Sequence, residues 1–272
     1  MKKLLLVLIF LVGLINFASA SDCGGNVQCN CGDILVSNLV MKQDILNCPS
    51  KAISIFKDGV ILDCSDHEID GKWYPGANQY GIYLEASDVL IKNCNIGDFF
   101  GDGNAGVYLS GNGNSLIDNN IYESFVGIYL SGNENVASDN NIHHNDLEGL
   151  KLFNASRNSI FSNYIHSNDY GIGVFGNSFG NKIYNNQIEF HILNGVFITS
   201  SHNSFFKNKF MFNSGEHVYE DSIYGNSWDF NGIGNYWDDF RDNIGYPLVY
   251  VLPFPSRGID HFPMGWQSLV PL

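Results

Sequence analysis

The chain has 272 residues, of which 14 are basic and 28 acidic, and its formal net charge is −14 at pH 7. A surface of that sign repels nucleic acid and anionic membranes, so neither is expected as a partner. It also disfavours polyanionic sugars unless a cation bridges them. The length is sufficient for one elongated domain with a continuous hydrophobic core.

The N-terminus has the pattern of a secretory signal peptide. Met1 to Lys3 is basic, Leu4 to Phe17 is an uncharged apolar run, and Ala18 to Ala20 is an Ala-x-Ala exit. A membrane anchor is the alternative, but the run is short for a bilayer span. The pattern predicts cleavage after Ala20 and a secreted protein, in the periplasm or at the cell surface, that has no membrane insertion after cleavage.

One motif recurs eight times between Asp58 and Trp228: Asn-x-apolar-x-x-Asn-x-apolar, a polar bend, and then Gly-apolar-x-apolar. Successive copies start mostly 21 to 23 residues apart. Periods of this length indicate a repeat architecture. The two polar positions that open the copies are Asp58 and Asp63, Asp88 and Asn93, Asn114 and Asn119, Asn135 and Asn140, Asn158 and Asn163, Asn181 and Asn186, Asn203 and Asn208, and Asp221 and Asn226.

Each copy contains three short runs in which apolar residues alternate with others, and none has a helical period. Such alternation is typical of strands with one buried face. The pattern predicts an all-β fold, a parallel β-helix of about eight coils. We divide the chain into a signal peptide (1–20), a Cys-rich N-terminal cap (21–57), the repeats (58–230) and an aromatic C-terminal capping segment (231–272).

The second polar residue of each later copy is an asparagine, and we expect these asparagines to be structural. Stacked side-chain amides hydrogen-bond to one another and also satisfy backbone groups of the bends. The predicted ladder consists of Asn119, Asn140, Asn163, Asn186, Asn208 and Asn226.

All six cysteines lie in the first third of the chain, and an even number in an exported protein predicts disulfides. Cys64 and Cys94 occupy the same position in consecutive copies. Because stacked strands lie ~4.8 Å apart, we expect these two to be bonded or in contact. The other four are expected to staple the N-terminal cap: Cys23, Cys29, Cys31 and Cys48.

Several segments resemble the NosD-type right-handed parallel β-helix proteins. They are Val60 to Gly71, the Gly-Ile-Tyr-Leu strands, the asparagine repeats and Gly234 to Phe240. The resemblance implies a right-handed coil in a secreted or cell-surface protein. The wider group includes polysaccharide lyases and hydrolases, adhesins and surface-layer proteins, and NosD itself is implicated in copper-site maturation. The resemblance therefore implies no single activity.

Two surface columns are candidates for function, and the first consists of Tyr83, Tyr108 and Tyr129. Tyrosines repeated once per coil form a ribbon of aromatic faces with hydroxyl tips, on which sugar rings can stack. We predict substrate binding there. The alternative is that outward tyrosines simply suit strands and stack on each other.

The second column contains His143, His166 and Glu189, with Glu123 beside it. Two histidines on adjacent coils with a carboxylate on the next can bind a divalent metal or shuttle protons. Paired carboxylates across a groove can hydrolyse a glycosidic bond. A solvated polar bend is the plain alternative. The remaining histidines are scattered and are interpreted as incidental: His67, His191, His202, His217 and His261.

These features leave three hypotheses for function. The first is a non-enzymatic protein that binds a polysaccharide or cell-envelope glycan, or has an envelope or adhesion role. The second is a carbohydrate-active hydrolase or lyase that uses the second column. The third is periplasmic copper handling, by analogy with NosD. The sequence favours the first, with no cofactor expected and a divalent metal as an option.

Overall fold

The stacked strands arise because no single copy of the repeat can bury its own apolar face. The computed structural model describes residues 20–72, 78–256 and 258–264, and among them the chain winds through about nine turns of a parallel β-solenoid. The fold prediction is confirmed, with about nine coils in place of eight. The predicted signal peptide lies almost wholly outside the described residues, and no helix within them is long and apolar enough to cross a membrane.

Each coil contributes one strand to each of three parallel sheets, which we name in the order the chain meets them. In the described residues the first sheet consists of β1 (Asp22–Cys23), β2 (Asp33–Leu35), β5 (Ile53–Ile55), β8 (Tyr80–Leu84), β11 (Ala105–Leu109), β14 (Val126–Leu130), β17 (Glu148–Phe153), β20 (Tyr170–Phe175), β23 (Val196–Ile198) and β26 (Val218–Glu220). The second consists of β3 (Leu39–Val40), β6 (Ile61–Asp63), β9 (Leu90–Lys92), β12 (Ser115–Ile117), β15 (Val136–Ser138), β18 (Ser159–Phe161), β21 (Lys182–Tyr184) and β24 (Ser204–Phe206).

The third sheet consists of β4 (Ile45–Cys48), β7 (Glu68–Gly71), β10 (Asn95–Gly97), β13 (Asn120–Tyr122), β16 (Asn141–His143), β19 (Tyr164–His166), β22 (Gln187–Glu189), β25 (Lys209–Met211) and β27 (Tyr236–Trp237). A 3₁₀ turn at Phe240–Asp242 follows, and the antiparallel pair β28 (Tyr250–Val251) and β29 (Ile259–Asp260) lies in the C-terminal segment. The alternating repeat thus gives the predicted three short strands per coil.

The core is a set of aligned aliphatic columns. In the third sheet Ile121 pairs in register with Ile142, which pairs with Ile165 and then Ile188. All four side chains are fully buried. Burying one such side chain contributes roughly 1.5–3 kcal/mol, so the stacked columns supply the main driving force of the fold.

The regular coils extend beyond the segment 58–230 at both ends. Strands β2 to β4, inside the predicted cap, already pair in parallel with the coils that follow. At the other end the predicted copy opened by Asp221 and Asn226 is wrong, because Asn226 occupies the first polar position of the last coil and not the second. Ile223, expected to point inward, is 86% exposed, and Trp228 is buried in its place. The second position of this coil is Asn235, nine residues after Asn226 instead of five, so the extra residues lie between Trp228 and Asn235.

The asparagine ladder is present, with one correction. Asn119, Asn140, Asn163 and Asn186 each donate a side-chain N–H to the amide oxygen of the next asparagine, at 2.9–3.0 Å. Asn208 donates to Asn235 and not to Asn226. Asn226 instead ends a second ladder, formed by the first asparagine of each copy: Asn135, Asn158, Asn181, Asn203 and Asn226.

The six cysteines form three disulfides. Cys64 is bonded to Cys94, with their Cα atoms 4.8 Å apart as expected for adjacent coils. The bonds Cys23–Cys29 and Cys31–Cys48 tie down the first coil. The predicted pair and the stapling of the N-terminal region are both confirmed.

Aromatic residues seal the C-terminal end of the core, as predicted. The ring of Trp237 stacks on Phe210 at 4.5 Å and on Tyr250 at 4.2 Å. Buried Asp260 accepts hydrogen bonds from the backbone N–H of Asn235 and the indole N–H of Trp237. These contacts fix the C-terminal segment to the last coil and so hold the side chains of both in fixed relative positions.

Candidate functional site

The tyrosine column lies on the outer face of the first sheet, as predicted. The ring of Tyr108 stacks on Tyr83 with centroids 5.0 Å apart and on Tyr129 at 5.3 Å. The ammonium group of Lys51 covers the ring of Tyr83 at the column's end, 3.2 Å from the centroid. Because the ring faces contact each other, edges and hydroxyl groups are what the column offers to solvent. Its role in binding substrate stays a prediction.

The histidine column lies on the outer face of the third sheet. His143 stacks on His166, with ring centroids 5.0 Å apart, and the next residue in the column is Glu189. Burial, helped by His166 and His144, lowers the pKa of His143 to about 4. Burial and His144 also lower the pKa of His166, against the charge of Glu189. Both rings are therefore neutral at pH 7.

The predicted ligands of that column point to different partners. Glu189 is buried and accepts hydrogen bonds from Tyr164 and Gln187, at 2.7 and 2.9 Å. Glu123 lies at the corner after β13, one coil before His144. The histidine column does not bring three ligating atoms within 4.8 Å of one another. Within the described ranges one group of side chains does so, and it consists of His217, Asp238 and Asp239. The catalytic and metal roles of the column stay predictions.

That other group lies in a cleft at the C-terminal end, which we call the C-terminal cleft. It has a volume of about 550 Å³. It is lined by the corner after β25, by residues after β27 and by the segment that begins with strand β28. Its carboxylates and aromatic rings share one space: Glu216, Asp238, Asp239, Asp242, Phe212, Tyr250 and Phe254.

His217 is the cationic centre of the cleft. Its Nε2 lies 2.7 Å from Asp238 Oδ1 and 3.5 Å from Asp239 Oδ1, and its Nδ1 contacts the side-chain amide of Asn213 at 3.1 Å. Burial alone would lower the pKa of His217, but the hydrogen bonds and charges of Asp238 and Asp239 outweigh it and raise the pKa to about 9. Against its own burial, Asp238 has a lowered pKa because of His217 and the backbone N–H of Phe212.

The other acidic groups of the cleft have fewer hydrogen-bond partners. Burial raises the pKa of Glu216, and its Oε2 atom is buried with no hydrogen-bond partner among the described residues. Tyr250 donates its hydroxyl to Asp239 Oδ2 at 3.1 Å. The side chain of Asp239 remains 49% exposed. The cleft thus presents two accessible carboxylates, Asp239 and Asp242, one carboxyl with a raised pKa and aromatic walls.

A larger depression of about 1040 Å³ on the far side of the tail has a different character. Its buried acid is Glu220, whose two oxygens accept hydrogen bonds from Ser222, Asn226, Trp228 and Ser256. With every lone pair directed to the protein, Glu220 serves to hold the tail in place.

Sequence reasoning missed the C-terminal cleft because its members come from different coils. His217 is interpreted above as incidental, and its partners follow 21 and 22 residues later. The available signal was the adjacent pair Asp238 and Asp239, which directly follows the buried Trp237. Two carboxylates after a strand that enters the core are well placed to face a cleft.

Fold and cleft together define a parallel β-helix protein with an open, acidic end site. A family model for the right-handed beta helix region matches residues 40–188 and 80–236, more than half of the chain. The chain belongs to that family. A search of curated protein sequences found no match to this chain.

Solved structures with the same fold include a tailspike protein, an epimerase and DFA-IIIase. A tailspike protein, Dettilon gp208, superposes with a TM-score of 0.53 at 17% identity, over 75% of this chain and 54% of the other. The periplasmic alginate epimerase AlgG gives 0.51 at 16%, over 65% and 46%. DFA-IIIase from Arthrobacter chlorophenolicus A6, solved with DFA-III, gives 0.50 at 14%, over 73% and 53%. The chain spans about half the length of these proteins, and the likeness shows the fold alone.

Proposed function

We propose that this protein is an extracytoplasmic carbohydrate-binding protein whose C-terminal cleft holds the sugar. The observation that carries the proposal is the pairing of carboxylates with aromatic rings in one open cleft. Carboxylate oxygens accept hydrogen bonds from sugar hydroxyl groups, and rings such as Phe212 pack against the apolar faces of sugars. The three disulfides fit an oxidising compartment outside the cytoplasm.

Charge narrows the class of glycan. His217 is the only basic residue among those that line the described cleft, and it is already paired with two aspartates. Added carboxylate or sulfate groups on a ligand would meet repulsion from Asp239 and Asp242. The cleft therefore suits neutral sugars or amino sugars. The fold itself is compatible with a carbohydrate ligand, since the alginate epimerase AlgG shares it.

Calorimetric titration with matched oligosaccharides tests the proposal. We expect neutral and amino-sugar oligomers to bind at least about tenfold more tightly than uronate oligomers of equal length, a difference of about 1.4 kcal/mol. Asp239→Asn should weaken binding by a similar factor, because it removes a charged acceptor. Asp102→Asn, on an exposed loop far along the chain, is the matched control. Equal affinity for neutral and uronate oligomers, or an unchanged Asp239→Asn, contradicts the proposal.

A hydrolase is the second candidate, and one observation favours it: Glu216 has a raised pKa while Asp238 in the same cleft has a lowered one. Carboxyl groups with opposite shifts are the usual acid and base of glycoside hydrolysis. Glu216 would protonate the leaving glycosidic oxygen as the C–O bond breaks. Asp238 would take a proton from the water that attacks the anomeric carbon.

The hydrolase hypothesis has its own readout on the same oligosaccharides. It predicts release of reducing ends, with Glu216→Gln slower by about 100-fold or more while binding is kept. If the oligosaccharides that bind tightly remain intact after prolonged incubation with the protein, hydrolysis is excluded. The binding proposal is not affected by that result.

A further inference from the structure

Outside the cleft, the histidine face of the third sheet contains a pair of ring nitrogens with no role in the proposed function. The Nδ1 atoms of His143 and His144 lie 2.7 Å apart. The two residues are consecutive, His143 at the end of β16 and His144 at the corner that follows, and the rings are nearly perpendicular at 87°. His144 is exposed and His143 is half-buried.

The protonation state of His143 is determined by a row of amides beside it. Asn141 donates its side-chain N–H to Asn120 Oδ1 at 2.8 Å, and Asn120 donates in turn to Asn95 Oδ1 at 3.3 Å. The oxygen of Asn120 therefore faces His143 Nε2, 3.0 Å away, and this nitrogen must carry the proton. The neutral ring then has its lone pair on Nδ1, which accepts a hydrogen bond from the Nδ1–H of His144.

The spacing of the two nitrogens fits a particular coordination geometry. Metal–nitrogen bonds of about 2.0–2.1 Å to two atoms 2.7 Å apart enclose an angle of roughly 80–85°. A tetrahedral ion would need nitrogens about 3.3 Å apart. Angles near a right angle occur between neighbouring ligands of square-planar or tetragonal ions, which with nitrogen and oxygen ligands are typically Ni²⁺ or Cu²⁺.

We propose that His143 Nδ1 and His144 Nδ1 chelate one square-planar or tetragonal divalent transition-metal ion, with water in the remaining positions. Binding moves the proton of His144 from Nδ1 to Nε2 and releases none. The hydrogen bond from His143 Nε2 to Asn120 is the outer support that such ligands usually have. Glu123, at the same corner one coil earlier, adds negative charge that attracts the cation.

This ligand pair differs from the one predicted from the sequence. His166 has its Nε2 committed to Asn141 and its Nδ1 to Ser167, at 3.1 Å in both cases. Glu189 is held by Tyr164 and Gln187. The second ligand beside His143 is therefore His144, which is adjacent in the chain, and not His166, which is adjacent in the column.

Titration of the tag-free protein with Ni²⁺ at pH 7.5 tests the site, with His144→Asn as the variant. His202→Asn is a matched control, because both histidines occupy left-handed bend positions, with φ of 54° and 63°, which asparagine also tolerates. We expect one Ni²⁺ per chain, weakened at least tenfold in His144→Asn and unchanged in His202→Asn. Cu²⁺ should bind at the same place with an electron paramagnetic resonance spectrum that shows two coupled nitrogens.

Several results would overturn the site. They are Ni²⁺ affinity unchanged in His144→Asn, equal weakening in both variants, no Ni²⁺ binding at tens of micromolar, or a Cu²⁺ spectrum with fewer than two nitrogens. Since His144 is exposed, circular dichroism is expected to show both variants folded, so loss of binding reports on the ligand and not on unfolding.

Discussion

Replacing Asn163 by alanine should destabilise the protein by about 4 kcal/mol, because several buried polar groups lose their partners at once. The side-chain oxygen of Asn163 accepts hydrogen bonds from the backbone and side-chain N–H groups of Asn140, at 3.0 and 2.9 Å. Its amide donates to the carbonyl of Ala137 at 2.9 Å and continues the ladder to Asn186. Each buried group left without a partner costs roughly 1–3 kcal/mol.

The matched control is Asn177→Ala, at an exposed position on a bend. Surface substitutions of this kind usually change stability by less than about 0.5 kcal/mol. The measurement is urea unfolding followed by circular dichroism for wild type and both variants. If the unfolding free energy of Asn163→Ala lies within about 1 kcal/mol of the wild-type value, the ladder does not stabilise the protein appreciably. The stacked apolar columns alone would then hold the coils together.

His217 should make stability fall as the solution becomes alkaline. Its pKa is raised in the folded protein to about 9, from 6.5 in the unfolded chain. The contribution is therefore complete below pH 6.5 and is lost as the pH rises through 9. A shift of this size corresponds to about 3 kcal/mol. The residue is 8% exposed, so solvent screens the pair only weakly.

Unfolding free energies at pH 6, 7.5 and 9.5 measure this effect. Wild type should lose about 3 kcal/mol over the range, and His217→Gln should lose much less. His261→Gln is the control, because His261 also pairs with an aspartate, at 2.9 Å, but is 61% exposed. A slope that survives in His217→Gln would mean that other groups cause it.

Local periodicity explains how much of the fold could be predicted. The asparagine spacing and the alternating strands recur in every coil, so stacking them predicted the core, the ladder and the bond between Cys64 and Cys94. The prediction of repeat positions was wrong where the spacing of the asparagines changes. In the last coil Asn226 and Asn235 are nine residues apart instead of five, so Asn226 was paired with Asp221 and assigned to the wrong ladder.

The candidate site could not be predicted by the same route, because it depends on contacts that do not repeat. His217 meets Asp238 across successive coils, and Tyr250 reaches Asp239 only because the tail folds back over the end. For the tyrosine column the repeat was sufficient, because it predicted the surface position of Tyr108 and, as the alternative to sugar binding, its stacking on its neighbours.

The central claim is that sugar binds in the C-terminal cleft, and a glycan microarray with three forms of the protein tests it most directly. The forms are wild type, Asp239→Asn in the cleft, and a Tyr108→Ala, Tyr129→Ala double variant on the first sheet. Binding of neutral or amino-sugar glycans that is lost in Asp239→Asn and kept in the double variant is the predicted result. Binding kept in Asp239→Asn and lost in the double variant would contradict it and assign recognition to the tyrosine column.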